Sequence, residues 1–137
     1  MYRWLLPMAL LFAACDDDPT QATKGRLVGT WVAETAEPTG RVRRVLALEA
    51  GGRAKDSSFV LTAGNAAPLE VREGEWFFDG VNFKRKYTRV DGMPLTNAFF
   101  IYETHELKSV SASELVGFSS VGQGEIRFRK ALSEANK

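Results

Sequence analysis

Few side chains in this sequence have the types and spacing that chemistry needs. There is one histidine, His105, and one cysteine, Cys15. A hydrolytic site needs a nucleophile, a base and an orienting group. His105 has Glu103, Glu106 and several serines near it in sequence, but that neighbourhood is generic and points to a surface or hydrogen-bonded histidine. With no second His and no Cys beside it, no metal site is expected. Glu73 and Glu75 stand at strand spacing, as do most charges on a solvated strand face. No catalytic residue, metal or cofactor is therefore expected, and the chain reads as a non-enzyme.

Binding chemistry has better candidates. Phe83, Arg85, Tyr87 and Arg89 alternate along one strand face. Rings and guanidinium groups in that order could line a pocket for an amphipathic or anionic ligand. The other reading places Phe83 and Tyr87 on the core while the charged heads reach for water. Arg41, Arg43 and Arg44 form a second basic cluster, either a patch for anionic headgroups or a solvated loop. Phe99, Phe100, Ile101 and Tyr102 are consecutive, so both faces of their strand are apolar. That calls for burial on both sides or for an exposed contact patch.

The elements that would position these groups are bounded by composition. The chain has 137 residues, 45% of them hydrophobic, with 18 Lys and Arg against 17 Asp and Glu. That fits one globular domain without the basic excess of a nucleic-acid reader. At the start, Arg3 precedes an apolar run from Trp4 to Ala14, interrupted by Pro7 and closed by Ala13-Ala14-Cys15. As a helix this run would reach only about 16 Å, half the thickness of a bilayer core. Asp16, Asp17 and Asp18 forbid extending it. It reads as a signal peptide.

From Leu27 onward the pattern is period two. Leu27 to Glu34 alternates around Trp31. Candidate strands follow at Arg43 to Glu49, Ser57 to Thr62, Leu69 to Phe78, Val81 to Val90, Ala98 to Glu106, Leu107 to Val110, Glu114 to Ser119 and Glu125 to Lys130, each bounded by turn residues. Within Leu69 to Phe78 the apolar phase changes, and a bulge or break near Gly74 would reconcile it. Asp79-Gly80 suits a two-residue type I′ hairpin, while Asp91 to Pro94 reads as a loop. Helical periodicity after residue 15 is confined to a weak tail, Arg129 to Asn136. The fold expected is all-β: an antiparallel up-and-down barrel, or a sandwich, of eight or nine short strands.

Two resemblances sharpen this reading. Leu11-Phe12-Ala13-Ala14-Cys15 resembles the lipobox of bacterial lipoproteins, although Phe12 departs from the usual residue there. The resemblance implies that Cys15 is acylated, with palmitate among its chains, and becomes the first mature residue. Asp16 after the cysteine is similar to the signal that retains lipoproteins in the inner membrane of enteric bacteria. Leu27-Val28-Gly29-Thr30-Trp31 looks like the Gly-X-Trp opening of lipocalins and small bacterial lipocalin-like domains. Glu73-Gly74-Glu75-Trp76 repeats that form, and Tyr102 to Leu107 with Ser113 to Val116 looks like the late strands of such domains. This likeness implies a barrel whose first-strand Trp31 lies under a basic side chain of the last strand, Arg127 or Arg129.

The organisation that follows is a signal peptide at 1–14, a lipidated Cys15 with a flexible tether through 24, a barrel at 25–131 and a polar tail at 132–137. The reading expects a membrane partner through the lipid anchor on the periplasmic face. A small apolar or amphipathic ligand would be lined by Trp31, Trp76, Phe83, Arg85, Tyr87, Arg89, Phe99 and Ile101. The alternative is an accessory or immunity protein that meets a protein partner through a sheet edge or the aromatic strand. No nucleic acid is expected, and oligomeric state is not readable.

Overall fold

The structure is a computed structural model, and it describes residues 18–38, 40–119 and 124–132. An α-helix, α1 (Pro19–Leu27), leads into nine strands: β1 (Gly29–Glu37), β2 (Gly40–Leu48), β3 (Arg53–Thr62), β4 (Asn65–Phe78), β5 (Asn82–Val90), β6 (Met93–Pro94), β7 (Ile101–Val110), β8 (Glu114–Ser119) and β9 (Gly124–Lys130). Each strand pairs antiparallel with its neighbour, and β9 returns to β1. Eight strands close into an up-and-down barrel, and the two-residue β6 extends the end of β5. The all-β barrel expected from the alternation is the fold observed.

Helix α1 takes up the second half of the stretch read as a flexible tether and runs on to Leu27, where the first strand was expected; that strand begins at Gly29. Asp18 caps the helix by accepting the Thr20 N–H at 2.9 Å, Pro19 occupies the first turn, and Lys24 and Arg26 sit in the last. It has no apolar stripe, so periodicity gave no sign of it. Its one buried residue, Leu27, anchors it, and the Leu27 carbonyl accepts the Trp31 indole N–H at 2.8 Å. The helix therefore lies against the end of the barrel where β1 begins. At the other terminus, Arg129 and Lys130 belong to β9 rather than to a helical tail, whose remainder from 133 lies outside the described residues.

Two Asp-Gly pairs exchange roles relative to expectation. At Asp79-Gly80 only the glycine has positive φ, and the turn runs four residues. The Asp79 carboxylate accepts the N–H groups of Val81 and Asn82, which holds its pKa down at about 2. The two-residue hairpin with both central residues at positive φ is instead Asp91-Gly92, joining Val90 to Met93.

Gly74 does mark an irregularity, because the pairing steps from Glu73↔Arg89 to Gly74↔Tyr87 and leaves Thr88 unmatched. A Cβ on Gly74 would fall 1.8 Å from the Lys86 carbonyl oxygen, so β4 can approach β5 here only without a side chain. The bulge does not rephase β4, however. Glu70, Arg72, Gly74, Trp76 and Phe78 follow one parity, while Leu69 is an unmatched, exposed bulge residue against β3. The apparent phase change arose because two inward positions, 70 and 72, are charged.

The strand expected from Ala98 to Glu106 starts later, at Ile101, and runs on through the next expected strand to Val110. Asn97–Phe99 is a 3-10 turn, Phe99 is 72% and Tyr102 66% exposed, and only Ile101 packs against the core. Of the two readings of the aromatic run, burial holds only in part, for Ile101 against the core, and Phe99 and Tyr102 are exposed.

Candidate functional site: a charged chamber above an apolar base

Alternation divides the barrel interior into two halves. Near α1 the inward residues are apolar: Leu27, Trp31, Leu46, Leu48, Trp76, Phe78, Phe83, Leu115 and Phe128 form one buried cluster. Trp76 and Phe83 meet edge to face, with ring centroids 6.2 Å apart. The Trp76 indole N–H is satisfied by the Glu49 carbonyl at 2.8 Å. Trp31 is covered by a cation, though not by the one expected. Lys130 Nζ sits 4.5 Å from the indole centroid and donates to the Val28 carbonyl at 2.6 Å. Arg127 and Arg129 flank the inward Phe128, point outward, and meet Glu114, Glu125 and Glu34. Strand parity decides this, since 128 and 130 share the inner face and 127 and 129 the outer.

Toward the opposite end the inward positions turn polar. Arg85 is completely buried, and its guanidinium lies 2.6 Å from Glu103 and 3.5 Å from Asp56. It donates to the Tyr87 hydroxyl at 3.2 Å, which in turn donates to Asp56 at 3.1 Å. Its Cζ stands 5.2 Å from the Phe83 ring, the boundary between the halves. Arg85 Nε is buried without a hydrogen-bond partner among the described residues. Arg44 pairs with Asp56 and lies 3.5 Å from Glu103, while Arg72 bonds Glu70 at 2.9 Å and lies 3.4 Å from Glu103. Three guanidinium groups thus interleave with three carboxylates inside the barrel.

The electrostatics of this chamber follow from its partners. Burial opposes the charge on Arg44, but the Asp56 and Glu103 carboxylates outweigh it and hold the pKa above its ordinary value. Burial pushes the Tyr87 hydroxyl up, and Asp56 adds to the shift against the pull of Arg85. Burial, then the Arg85 charge, lowers His105 to about 4. At neutral pH its ring is uncharged. Nδ1, 3.4 Å from an Arg85 nitrogen that can only donate, is then the acceptor. A histidine held as an acceptor for a structural arginine is a positioning group.

Of the sequence candidates, Trp31, Trp76, Phe83, Arg85 and Tyr87 do gather in the interior, with Ile101 packed beside them. Arg89 and Phe99 do not join them. Arg89 faces outward after the Thr88 bulge and donates to the Gly92 carbonyl, and Phe99 stands on the 3-10 turn outside the barrel. Arg41 and Arg43 lie on β2, not in a loop, and pair with Glu34, whereas Arg44 turns inward. The interior residues not anticipated are Arg44, Asp56, Glu70, Arg72, Glu103 and His105. The signal for them was parity: Arg44 alternates with Val42 and Leu46, and Glu103 with Ile101 and His105. Cys15 and Asp16 lie outside the described residues.

The chamber opens to solvent through a cleft of about 260 Å³ between β2, β3, β4 and β7, bordered by Glu37, Arg44, Asp56, Leu69, Glu70, Arg72 and Glu103. Among the described residues no group of three His, Cys, Asp or Glu side chains is placed to hold a metal ion, and no helix is long and apolar enough to cross a membrane.

Fold and site together define a closed up-and-down β-barrel with a packed apolar base and a charged, open mouth. Among solved structures, a lipocalin-like protein from Bacteroides thetaiotaomicron is similar to this chain, with 27% identity over 77% of this chain and 97% of that one and a TM-score of 0.48. No protein-family model and no curated protein matches the chain.

Proposed function

We propose that this is a lipid-tethered envelope protein that binds a small polar solute at the mouth of its barrel. The observation that carries the binding half is the cluster of Arg44, Arg72 and Arg85 with Asp56, Glu70 and Glu103, reached from solvent through one cleft. Burying charges is costly unless each is paired, and a barrel interior needs no charges to fold. The base residues first considered as a lining for an apolar ligand are packed against one another, which favours the polar end as the place of binding.

The tether half rests on Cys15 and its resemblance to a lipobox. Asp18 opens α1, and three residues from Cys15 span at most about 11 Å. Acylation at Cys15 would hold the apolar base toward the bilayer and turn the charged mouth away from it. Two or three acyl chains give stable anchoring where one does not. Asp16 supports retention in the inner membrane.

Native mass spectrometry of protein extracted from envelopes in mild detergent tests the binding reading. A bound solute of a few hundred daltons, lost in Arg72→Gln, is expected. A co-purified long-chain lipid in the barrel, or no solute at all, overturns it. Radiolabelled palmitate should be incorporated by the wild type and not by Cys15→Ser, which should leave the membrane fraction.

A second reading has its own observation. Phe99 and Tyr102, with Met93 at 69% exposure, are large apolar side chains left in solvent at or beside the mouth. They support a contact with a protein partner. A stoichiometric polypeptide, instead of a solute, in the same native spectrum would favour it.

A further inference from the structure

Building on the mouth as a solute site, we infer that its ligand is a small zwitterion whose oxyanion lies between Arg44 and Arg72 and whose cationic group lies against Glu37 and Glu70. The contact distances within the cluster carry this. Glu103 makes its close contact, 2.6 Å, with the buried Arg85. The same carboxylate reaches Arg44 and Arg72 only at 3.5 and 3.4 Å, one from each oxygen. Arg44 and Arg72 are each a little over a quarter exposed, so they border the cleft with donors that Glu103 holds loosely. An oxyanion entering the cleft completes their hydrogen bonds, and charge-assisted bonds to arginine are the strong kind.

A simple anion would nonetheless be repelled. The same cleft is bordered by Glu37, Asp56, Glu70 and Glu103, which face the arginines across it. Glu37 is exposed and makes no ion pair among the described residues, so it offers an unneutralised carboxylate at the rim. A simple cation meets the opposite obstacle in Arg44 and Arg72. A ligand carrying both signs satisfies both walls, and Leu69 at the edge offers apolar contact to a methylene or methyl group between them. Liquid water occupies about 30 Å³ per molecule, so the cleft accommodates a ligand of roughly ten heavy atoms.

Isothermal titration of the full-length protein in non-ionic detergent tests the inference with four probes: phosphocholine, glycine betaine, inorganic phosphate and choline. Both zwitterions should bind at least tenfold more tightly than phosphate or choline, and their order separates a phosphate from a carboxylate oxyanion. Glu37→Gln, at an exposed position, should weaken the zwitterions by about threefold or more, in line with loss of one exposed charge contact, and should not weaken phosphate, whose repulsion it relieves. Arg72→Lys should weaken the zwitterions while the far-ultraviolet spectrum stays that of the wild type. Phosphate or choline binding as tightly as the zwitterions, or Glu37→Gln without effect, overturns the inference. If none of the probes binds while the native spectrum still shows a solute, the zwitterion is wrong and the mouth stands. If the solute is missing as well, both fall.

Discussion

The two halves of the barrel interior are built on the same strands with the same alternation, yet they are held by different physics. Near α1, Trp31, Leu46, Trp76, Phe83 and Phe128 exclude water and gain from area buried, at about 25 cal/mol per Å². Toward the mouth, Arg85 is buried as fully as Trp31 but depends on Glu103, Asp56, Tyr87 and His105. The base tolerates approximate replacement, because apolar packing is non-directional. The mouth does not, because each charge inside it, as distinct from Glu37 at the rim, is tied to a named partner. What the difference teaches is that burial alone does not identify a core: a completely buried residue can belong to a site.

The sharpest way to break the comparison is Arg85→Met, which conserves bulk and takes from Glu103 its closest partner. Removing one partner of a buried ion pair costs about 3–5 kcal/mol, and urea unfolding should report a loss in that range. Arg85→Met with Glu103→Gln should recover a large part of it, because Arg44–Asp56 and Arg72–Glu70 remain paired. The matching lesion in the base, Leu46→Ala, should cost about 2–4 kcal/mol through lost transfer and a residual cavity, with no second change able to restore it except one that fills the space.

Acid separates the halves next. His105 is held at about 4 against an ordinary 6.5, so the unfolded chain binds the extra proton first. Its contribution is complete above pH 6.5 and is lost as pH falls toward 4. Between pH 7 and 4.5, His105→Gln should lose less stability than the wild type, by on the order of 1–2 kcal/mol, measured by urea midpoints across the range. The smallest effect is expected at the bottom of the base. Lys130→Met should cost about 0.5–1 kcal/mol from the lost cation–π contact, with a change in the Trp31 fluorescence environment.

How much of this was legible in the sequence follows from the same division. Period-two alternation of Trp31, Leu46, Leu48, Trp76 and Phe78 carries the strands and the apolar base, and the barrel topology follows from short antiparallel connections. The charged half was illegible because residue type and alternation disagree there. Arg44, Asp56, Arg72 and Glu103 occupy inward positions in phase with buried neighbours such as Val42 and Leu46, but polar residues at strand spacing normally face water, so their type argues for the outside against their parity. At Glu70 and Arg72 the inverted pattern even mimicked a phase change. Helix α1 escaped because a single buried residue, Leu27, gives no periodicity. The shift from Arg129 to Lys130 over Trp31 is one step of parity, fixed by the register Trp31↔Lys130.

That register is also where the barrel closes most sparingly. β1 matches β2 at nine positions but β9 only at Trp31↔Lys130 and Val32↔Arg129. From Ala33 and Phe128 onward the two edges diverge around a cleft of about 320 Å³. The cylinder is thus fastened at its base and unlaced along one side toward the mouth. Deuterium should enter the amides bordering that slit well before those of β2 and β3.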